Sequence, residues 1–396
     1  MLNEIIKIIY IINKESWSFI KMERIAHIMG KWGGGVESVV MNYYRNMDRT
    51  KVQFDFLCDE DSRNIPYEEI KNLGGRIIMI PPYQNIFKYK KKLRKILEQN
   101  NYKIIHSHIN TLSVFPLCEA KKVNIPVRIA HSHSTTNFIE VKHNLLKQIL
   151  RVFSKRYATD YFCCSELSGR WLFGNREYDK GNVFLLNNAI DVNKFQYNEQ
   201  IRKEERKKMK INDDTLVIGH LGRFVKQKNH EFLIDVFEQV HKQNNNSILI
   251  LAGSGPLLDE IKQKVKKLKL ENCVKFLGQV SNTNNLYQIM DVLLLPSLYE
   301  GLPVVSVEAQ TSGVLCILSD EITKEAKILD TTCFVSLKEN AKIWSETVLK
   351  SYNNFTRKNV KKEVSNSIFD IKSEANNLLK KYEELEACCI KNSNVL

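Results

Sequence analysis

The sequence lacks the features that mark several other classes of protein. No apolar run approaches the ~20 residues of a membrane span; the run Ile5–Ile12 ends at polar residues, and no small-residue cleavage site follows it. Only 8 prolines and 16 glycines occur in 396 residues, without a low-complexity tract or a fixed-period repeat, so the composition is globular. The 9 cysteines are scattered and form no Cys-x-x-Cys pair, which favours reduced thiols and a cytoplasmic location.

The charge balance is strongly basic. A net charge of +14 favours an anionic partner, such as nucleic acid, a phospholipid surface or a phosphorylated ligand. Much of the excess lies in two predicted amphipathic helices, Phe87–Leu97 and Lys142–Arg156. Two interpretations stay open. One is a solvated helix face, and the other is peripheral docking on the anionic inner face of a membrane, where each basic residue contributes about 1 kcal/mol.

Short apolar runs alternate with helical patterns along most of the chain. Runs such as Arg24–Met29 and Leu216–Leu221 are apolar on both faces, and amphipathic helices separate them. Strands of this kind, joined through helices, predict parallel sheets. The length exceeds one hydrophobic core. The sequence therefore predicts an α/β protein with two doubly wound Rossmann-like domains that face a central cleft, where ligands bind at the carboxyl ends of the strands.

The alternation pauses over residues 187–214. A turn-like segment, Asn187–Asp191, precedes a highly charged stretch, Arg202–Lys210, so we expect an interdomain connector near residues 187–195. The predicted divisions are an N-terminal extension (1–21), a first domain (22–186), a second domain (187–364) and a C-terminal helix (365–396) that could cross back to the first domain. Residues 1–21 are interpreted as lying outside the domain proper, or as a weak surface anchor.

The most specific pattern is the segment Glu300–Glu308, which follows an apolar strand and opens a predicted helix, Val304–Thr311. A helix N-terminus offers unpaired N–H groups and the positive end of a dipole, which suit a diphosphate. The two glutamates could accept hydrogen bonds from sugar or ribose hydroxyls. Offsetting the helix dipole is the plainer explanation, and it fits Glu300 better than Glu308, which lies beyond the first turn.

Two glycine-containing loops are further candidates for phosphate binding. In the segment Gly222–Asn229 a strand ends at a glycine, and Arg223 and Lys228 then precede a helix; a guanidinium fork and an ammonium both suit phosphate oxygens. Gly34 and Gly35 belong to a triple-glycine loop after the first strand, where the backbone could approach a ligand closely. This loop is not a Gly-x-Gly-x-x-Gly motif, so NAD binding is not favoured.

Two strands end in His-Ser-His, at residues 106–108 and 131–133. Alternate residues of a strand face the same side, so either pair could ligate a metal, but no cysteine or carboxylate has convincing spacing, and we expect no metal. We expect instead that one or two of these histidines line the cleft, with His131 and His133 as the better candidates. Asp59-Glu60-Asp61 has the spacing of an Asp-x-Asp metal motif, and we interpret it as a solvated loop.

These segments together resemble glycosyltransferase family 4, the group-1 glycosyltransferases, and are most similar to its capsular and exopolysaccharide members. The resemblance runs from about Arg24 to the final helix. It rests on Gly34–Glu37, Val127–Ser134, Gly222–Asn229 and the segment Pro296–Gly313 with its two glutamates seven residues apart. Two positions depart from the family pattern, Ala189 in the connector and Leu315 after Gly313, and neither removes a charged group.

The resemblance implies a GT-B fold and a retaining, metal-independent transfer of a sugar from a nucleoside diphosphate sugar, with a UDP-linked donor expected, to a saccharide that is expected to be lipid-linked. No other cofactor is implied. It assigns the donor diphosphate to Arg223 and Lys228, the donor ribose to Glu308 and the transferred sugar to Glu300. Backbone N–H groups at Gly301, Leu302 and the Gly34-Gly35 loop would complete the phosphate site. The first domain would bind the acceptor, with His131 or His133 at the reacting centre.

Two alternatives belong to other functional classes. A basic nucleic-acid-binding protein would explain the charge, but no known binding module or aromatic-rich basic strand occurs, so nucleic acid is not an expected partner. A nucleotide-sugar epimerase of the same fold, or a two-Rossmann oxidoreductase, would share the architecture. The absence of Gly-x-Gly-x-x-Gly and the presence of Glu300 and Glu308 argue against the oxidoreductase, and an epimerase would convert a UDP-sugar without an acceptor.

Overall fold

The computed structural model describes residues 23–33, 35–134, 141–280 and 282–393. The chain forms two β-sheets, and every strand pair in both of them is parallel. The predicted segment 1–21 lies outside the described residues. Within the described part of the chain, no helix combines the length and apolar character needed to cross a membrane.

The first sheet has seven strands in the order β3-β2-β1-β4-β5-β6-β7. Its strands are β1 (Glu23–Gly30), β2 (Val52–Asp59), β3 (Arg76–Ile80), β4 (Ile104–Ser107), β5 (Val127–Ser132), β6 (Asp160–Cys163) and β7 (Val183–Leu185). The helices among them are α1 (Val36–Asn46), α2 (Tyr67–Asn72), α3 (Ile86–Asn100), α4 (Val114–Lys122), α5 (Val141–Tyr157), α6 (Glu166–Phe173) and α7 (Asn175–Asp179).

The second sheet has six strands in the order β10-β9-β8-β11-β12-β13. Its strands are β8 (Leu216–Leu221), β9 (Ser247–Ala252), β10 (Val274–Gly278), β11 (Val292–Leu295), β12 (Leu315–Ser319) and β13 (Thr332–Val335). The helices of this half are α8 (Val192–Phe195), α9 (Glu199–Lys208), α10 (His230–Gln243), α11 (Leu258–Lys267), α12 (Thr283–Ile289), α13 (Val304–Thr311), α14 (Ala341–Asn353), α15 (Lys361–Ser365) and α16 (Ile371–Ser393).

The apolar runs of the sequence form the centres of both sheets. All residues of β8, β11 and β12 are buried, because helices cover both faces of these strands. The amphipathic helix α10 turns Leu233, Val236, Phe237 and Val240 towards the second sheet, each contributing about 1.5–3 kcal/mol when fully buried. The alternation predicted from the sequence is thus confirmed as two doubly wound sheets.

The final helix returns to the first sheet. Ile371, Leu378 and Tyr382 of α16 are buried in the same core cluster as residues of α1, β1 and β2. Ile190 and Asp370 form a parallel bridge, so the chain crosses between the two halves twice at neighbouring points. The Lys103 ammonium forms an ion pair with Glu386 at the far end of α16. Helix α16 therefore belongs to the core of the first half, although it follows the second half in the sequence.

The charged stretch Arg202–Lys210 is mostly helical, although the sequence showed an interruption there in the alternation of strands and helices. Most of it belongs to helix α9, whose first turn is capped by the Asn198 side chain. Arg202 and Arg206 lie four residues apart on one face and bond to opposite oxygens of Asp291, at 2.5 and 2.7 Å. A buried carboxylate needs such partners. The two arginines of this charged stretch therefore hold α9 against the start of β11.

Two other details differ from the sequence predictions. The sequence analysis did not identify β13, an edge strand of only four residues. The interpretation of Asp59-Glu60-Asp61 as solvated is wrong for Asp59, which ends β2 and is buried. Burial, together with the Asp61 charge, raises the pKa of Asp59 to about 6. Asp61 forms an exposed ion pair with Lys31 at 2.5 Å.

Candidate active site

The candidate site lies where the strand order of each sheet reverses. In the first sheet the reversal falls between β1 and β4, and in the second sheet between β8 and β11. Loops that leave the carboxyl ends of such neighbouring strands separate to opposite sides of the sheet, and the crevice between them is where ligands bind in open α/β folds. The predicted phosphate-binding segments leave β1, β8 and β11, so the topology brings each of them to a crevice.

An ion pair joins the loops after β8 and β11. The Lys228 ammonium contacts the Glu300 carboxylate, and both side chains are largely buried. The Gln227 amide donates to Glu300 Oε2 at 3.3 Å and to the Tyr299 carbonyl at 2.9 Å. Leu298 N–H donates to the Gln227 carbonyl at 2.8 Å. The two segments that the sequence singled out separately are therefore one structural unit, and Gln227 belongs to it although no motif had marked that residue.

Close backbone packing sets the shape of the loop after β8. A Cβ atom on Gly253, whose φ is +142°, would lie 1.9 Å from the Gly222 carbonyl oxygen. Phe224 N–H donates to the Ser254 carbonyl at 3.0 Å. Asn229 adopts the left-handed conformation, with φ of 54°, immediately before α10 begins. Glycine at 222 and 253 thus lets two loops stack, which holds the Lys228 side chain over Gly222.

Arg223 is an exposed cation of this loop, as is Lys226. The Arg223 side chain forms no ion pair or hydrogen bond with any residue that the structure describes, whereas Lys228, five positions later, is paired with Glu300. A guanidinium with its N–H groups free offers a planar fork to an incoming anion. The Arg223 guanidinium is thus available to an incoming anion, whereas the Lys228 ammonium is held beside a carboxylate.

Glu308 lies in the second turn of α13 and is held by a hydrogen bond. The Tyr287 hydroxyl donates to Glu308 Oε2 at 2.7 Å. Burial raises the pKa of Glu308 to about 7, although the bond from Tyr287 and the charge of Lys194 act in the opposite direction. Tyr287 and Lys194 are site residues that the sequence gave no signal for, since they come from α12 and α8.

The two halves of the molecule touch at the start of α13. A Cβ atom on Gly301 would lie 2.7 Å from the His133 carbonyl oxygen and 3.3 Å from Cys164 Sγ, so only glycine fits there. Burial raises the pKa of the Cys164 thiol, and hydrogen bonds with the Ser168 side chain and the Leu302 backbone lower it. The Leu302 amide, which the resemblance assigned to a phosphate cradle, therefore faces Cys164 in this structure.

The glycine loop after β1 is open on its ligand side. A Cβ atom on Gly35 would meet no atom of the described residues within 4 Å, and Gly35 stands immediately before the first turn of α1. Gly33 N–H donates to Glu37 Oε1 at 3.1 Å, which fixes the loop against its own helix. Gly34 lies outside the described residues. Gly35 thus leaves open space beside the start of α1, which follows the carboxyl end of β1.

The histidines of β1, β4 and β5 form one buried cluster rather than two separate pairs. His106 Nε2 lies 3.0 Å from His131 Nδ1, and His108 Nδ1 lies 2.9 Å from His133 Nε2. His27 Nδ1 completes the cluster, 2.9 Å from His108 Nε2. Burial lowers the pKa of His27 and His133 to about 3, and it also lowers the pKa of the other three. The five rings are therefore neutral.

The structure gives His131 and His133 different surroundings, whereas the sequence did not distinguish between them. The His131 ring stacks on the His133 ring at 3.8 Å and is only 1% exposed. His133 is 8% exposed, and its carbonyl contacts the second half of the molecule at Gly301. Of the two, His133 is the more exposed, and its main chain is next to the second half. His27 and the contacts within the cluster could not be found from spacing, because they depend on the pairing of β1, β4 and β5.

Two doubly wound parallel sheets that face each other across a crevice define the GT-B fold, and the paired Lys228 and Glu300 with the exposed Arg223 suit a site for a phosphorylated sugar. This fold is that of many glycosyltransferases. The chain belongs to glycosyltransferase family 4, the group-1 glycosyltransferases. The model described as Glycosyltransferase Family 4 matches residues 33–194, and the model described as Glycosyl transferases group 1 matches residues 201–362.

Known relatives cover most of the chain. EpsF of Bacillus subtilis (strain 168) is 37% identical over 337 residues, which are 83% of this chain and 88% of EpsF. An Escherichia coli UDP-Gal:alpha-D-GlcNAc-diphosphoundecaprenol alpha-1,3-galactosyltransferase is 23% identical over 313 residues, 75% of this chain and 79% of that protein. The solved structure of Anabaena HepE with UDP and glucose has a TM-score of 0.75 at 16% identity, covering 91% of this chain and 99% of HepE.

Proposed function

We propose that this glycosyltransferase moves a sugar from UDP to a saccharide carried on a lipid diphosphate, with retention of anomeric configuration and without a divalent ion in the transfer step, in capsular or exopolysaccharide biosynthesis. The observation that carries the proposal is the Lys228–Glu300 ion pair beside the unpaired Arg223. Cations at this point can neutralise the charge that develops on a departing diphosphate. UDP in the HepE structure and the diphosphoundecaprenol acceptor of the Escherichia coli relative support the two substrates.

The proposal assigns one substrate to each half of the chain. We infer that residues 187–364 bind the donor, with Arg223 and Lys228 on the diphosphate, Glu308 on the ribose, Glu300 on the transferred sugar and the Gly301 amide near the phosphates. Residues 22–186 would bind the acceptor, with Gly35 at the mouth of the crevice and His133 beside the reacting centre. The helix within residues 365–396 braces the acceptor half through Tyr382, whose hydroxyl lies 2.7 Å from His106 Nδ1.

The proposed transfer is a same-face displacement. The bond from the anomeric carbon to the phosphate oxygen breaks while the acceptor oxygen bonds to that carbon on the same face, and the acceptor hydroxyl proton passes to the departing phosphate. Glu300 is engaged by Lys228 and Gln227, which argues for a role in holding the sugar and not for nucleophilic attack. The rest of the protein's contribution to catalysis would be to position the two substrates and to exclude water as the two halves close.

A product assay tests the function as a whole. The purified chain is incubated with UDP-glucose, UDP-galactose or UDP-N-acetylglucosamine and with a lipid-diphosphate-linked saccharide, and the product linkage is determined by NMR. One UDP-sugar is expected to give a new α-linkage only when the acceptor is present, with a yield that added Mg²⁺ or Mn²⁺ does not raise. Conversion of a UDP-sugar without an acceptor would mean an epimerase, and a β-linkage would contradict retention.

The ionisation of Glu308 gives a pH prediction. Because the pKa of Glu308 is about 7, the carboxylate that accepts ribose hydrogen bonds becomes the main form as pH rises from 6 to 8. Affinity for the UDP-sugar is expected to increase up to about tenfold over that range, measured by calorimetry. The nucleotide sugar is used instead of free UDP because its diphosphate does not titrate there. Glu308→Gln should bind more weakly, with a flat profile; a flat profile in the unchanged protein would contradict the assignment.

The basic helices support peripheral docking on an anionic membrane. Helices α3 and α5 both pack against α4, so they lie on one side of the first sheet. Their exposed faces combine apolar residues, such as Phe87 (84% exposed) and Val152 (75% exposed), with basic ones. The basic residues on these faces are Lys88, Lys91, Lys92, Lys95, Lys155 and Arg156. Apolar side chains ringed by cations suit the interface of an anionic leaflet.

Vesicle co-sedimentation tests this surface. Vesicles containing phosphatidylglycerol are expected to bind the chain, and pure phosphatidylcholine vesicles to bind it much less. The double variant Phe87→Ser, Val152→Ser should lose about tenfold or more in affinity, since two apolar anchors of 1.5–3 kcal/mol each are removed. Ile368→Ser, which removes an exposed apolar residue outside both helices, serves as the control. Equal binding to both vesicle types would contradict the docking surface.

A further inference from the structure

A cluster of five buried histidines lies behind the acceptor wall of the cleft, and the proposed reaction uses only His133. The other four are His27 on β1, His106 and His108 at the end of β4, and His131 at the end of β5. His27 is paired in register with His106 on the neighbouring strand. Each His-Ser-His run points two rings to the same face, so three adjacent parallel strands place all five rings together.

The hydrogen bonds of the cluster form two short chains that each end on an unpaired nitrogen. One runs from the Tyr382 hydroxyl through His106 to His131, and the other from His133 through His108 to His27. His131 Nε2 and His27 Nε2 are buried and have no hydrogen-bond partner among the described residues. An orphaned buried nitrogen is costly and calls for an explanation such as an unseen ion or water.

A cavity of about 10 Å³ is lined by the five imidazoles and by apolar side chains of α1 and α16. That volume corresponds to about one water molecule, so it also admits a single small ion. Within the described residues, His108, His131 and His133 each offer one ligand nitrogen, and these atoms lie within 4.8 Å of one another. Three nitrogens around a tetrahedral zinc, at 2.0–2.1 Å each, would be about 3.3 Å apart, so only small ring movements are needed.

We propose that His108, His131 and His133 bind one transition-metal dication of the zinc type. Neutral imidazole suits zinc, cobalt and nickel, whereas magnesium and calcium prefer carboxylate and carbonyl oxygens, and the side chains of this lining include no carboxylate or amide. The sequence argued against a metal because neither His-Ser-His run has a cysteine or carboxylate at ligand spacing. The third ligand comes instead from the neighbouring strand, and the other two histidines remain as supporting residues.

The hydrogen-bond chains supply a consistent outer shell for this ion. With His131 Nε2 on the metal, its Nδ1–H donates to His106 Nε2, and His106 Nδ1–H donates to the Tyr382 oxygen. With His108 Nδ1 on the metal, its Nε2–H donates to His27 Nδ1. Ligating histidines are normally oriented in this way by a second partner. The main chain adds rigidity, since His108 N–H donates to the Ile28 carbonyl and Asn110 Oδ1 accepts from His133 N–H.

The location gives the ion an entry path and a structural role. His133, the most exposed of the three ligands, lies at the cleft wall, so the ion can enter from the cleft. Once bound, it would tie β4 to β5 and, through His106 and Tyr382, to α16. It would lie in the first half of the molecule, away from Arg223 and Lys228, and it takes no part in phosphate binding. The inference does not depend on the proposed sugar transfer.

Metal binding to the untagged full chain is the direct test. The chain is stripped with a chelator, dialysed, and titrated with Zn²⁺ or Co²⁺ while calorimetry, metal content and visible absorption are recorded. One equivalent is expected, with the intense visible bands of tetrahedral Co²⁺ and a rise in Tm of about 5 °C at saturating Zn²⁺. Mg²⁺ should give none of these signals. Absence of a stoichiometric site for both Zn²⁺ and Co²⁺ would overturn the proposal.

Variants separate this site from adventitious surface binding. His131→Gln should lower Zn²⁺ affinity at least 100-fold, and Tyr382→Phe, which removes only the hydroxyl that supports His106, about tenfold. His241→Gln is the matched control, because His241 lies on α10 in the other half and its Nδ1 contacts Ser247. Circular dichroism verifies that each variant is folded. If His131→Gln misfolds, the comparison rests on Tyr382→Phe. Equal Zn²⁺ affinity of the Tyr382→Phe and His241→Gln variants would then refute the site.

Discussion

Replacing Arg223 with alanine is expected to lower kcat/KM for sugar transfer about 10²–10³-fold, the usual loss when one group that stabilises developing charge is removed. Arg223 is exposed and has no partner among the described residues, so the folded state loses no contact and Tm should stay the same. The measurement is steady-state transfer from the UDP-sugar, with thermal melting of the same preparation.

Matched variants distinguish the guanidinium from general positive charge. Lys226→Ala removes an exposed cation three residues away in the same loop, and we expect less than a twofold change. Arg223→Lys retains the charge but loses the planar fork, so it should recover only part of the activity. Near-normal transfer by Arg223→Ala would contradict the assignment of this residue to the diphosphate.

The second large effect is expected at the Lys228–Glu300 ion pair. Glu300→Gln and Lys228→Met should each lower kcat/KM about 10²-fold, since each removes a hydrogen bond to a charged group worth about 1.5–3 kcal/mol. Both side chains are largely buried and in direct contact. The double variant is therefore expected to lose less than the product of the two single losses, with a coupling of about 0.5–3 kcal/mol.

The double-mutant cycle has a control pair. Glu321→Gln and Lys226→Met alter exposed residues in the segments that follow β12 and β8, and their effects should be small and additive. Strict additivity of the Glu300 and Lys228 losses would mean that the two residues act independently on the substrate. In that case the ion pair seen in the ligand-free chain would have no part in assembling the site.

The ion pair also suggests an order of events in donor binding. Lys228 is paired with Glu300, whereas the Arg223 side chain has no partner among the described residues. The diphosphate can therefore meet Arg223 first, and Lys228 then exchanges part of its contact with Glu300 for phosphate oxygens. This exchange would release Glu300 to accept hydrogen bonds from the transferred sugar, which links recognition of the sugar to recognition of the diphosphate.

The sequence was informative where a pattern is local. The bounds of β8, β9 and α13 follow directly from apolar runs and from the helix start after Pro303. The family was identified from short segments because the spacing of Glu300 and Glu308 is a property of one continuous stretch. Local patterns were misleading where charge serves packing, as in α9, whose arginines reach a carboxylate more than 80 positions away.

The sequence alone determined the α/β class and the two sheets, and it supplied the residues proposed to bind a phosphorylated sugar, because periodicity and loop motifs are properties of neighbouring positions. Only the tertiary structure decided that Lys228 holds Glu300, that His133 and not His131 is next to Gly301 of the second half, and that five histidines share one cavity. The physical reason is parallel pairing. Parallel pairing brings the carboxyl ends of strands that are distant in sequence to the same edge of the sheet. The spacing of residues along the chain does not predict which strand ends become neighbours.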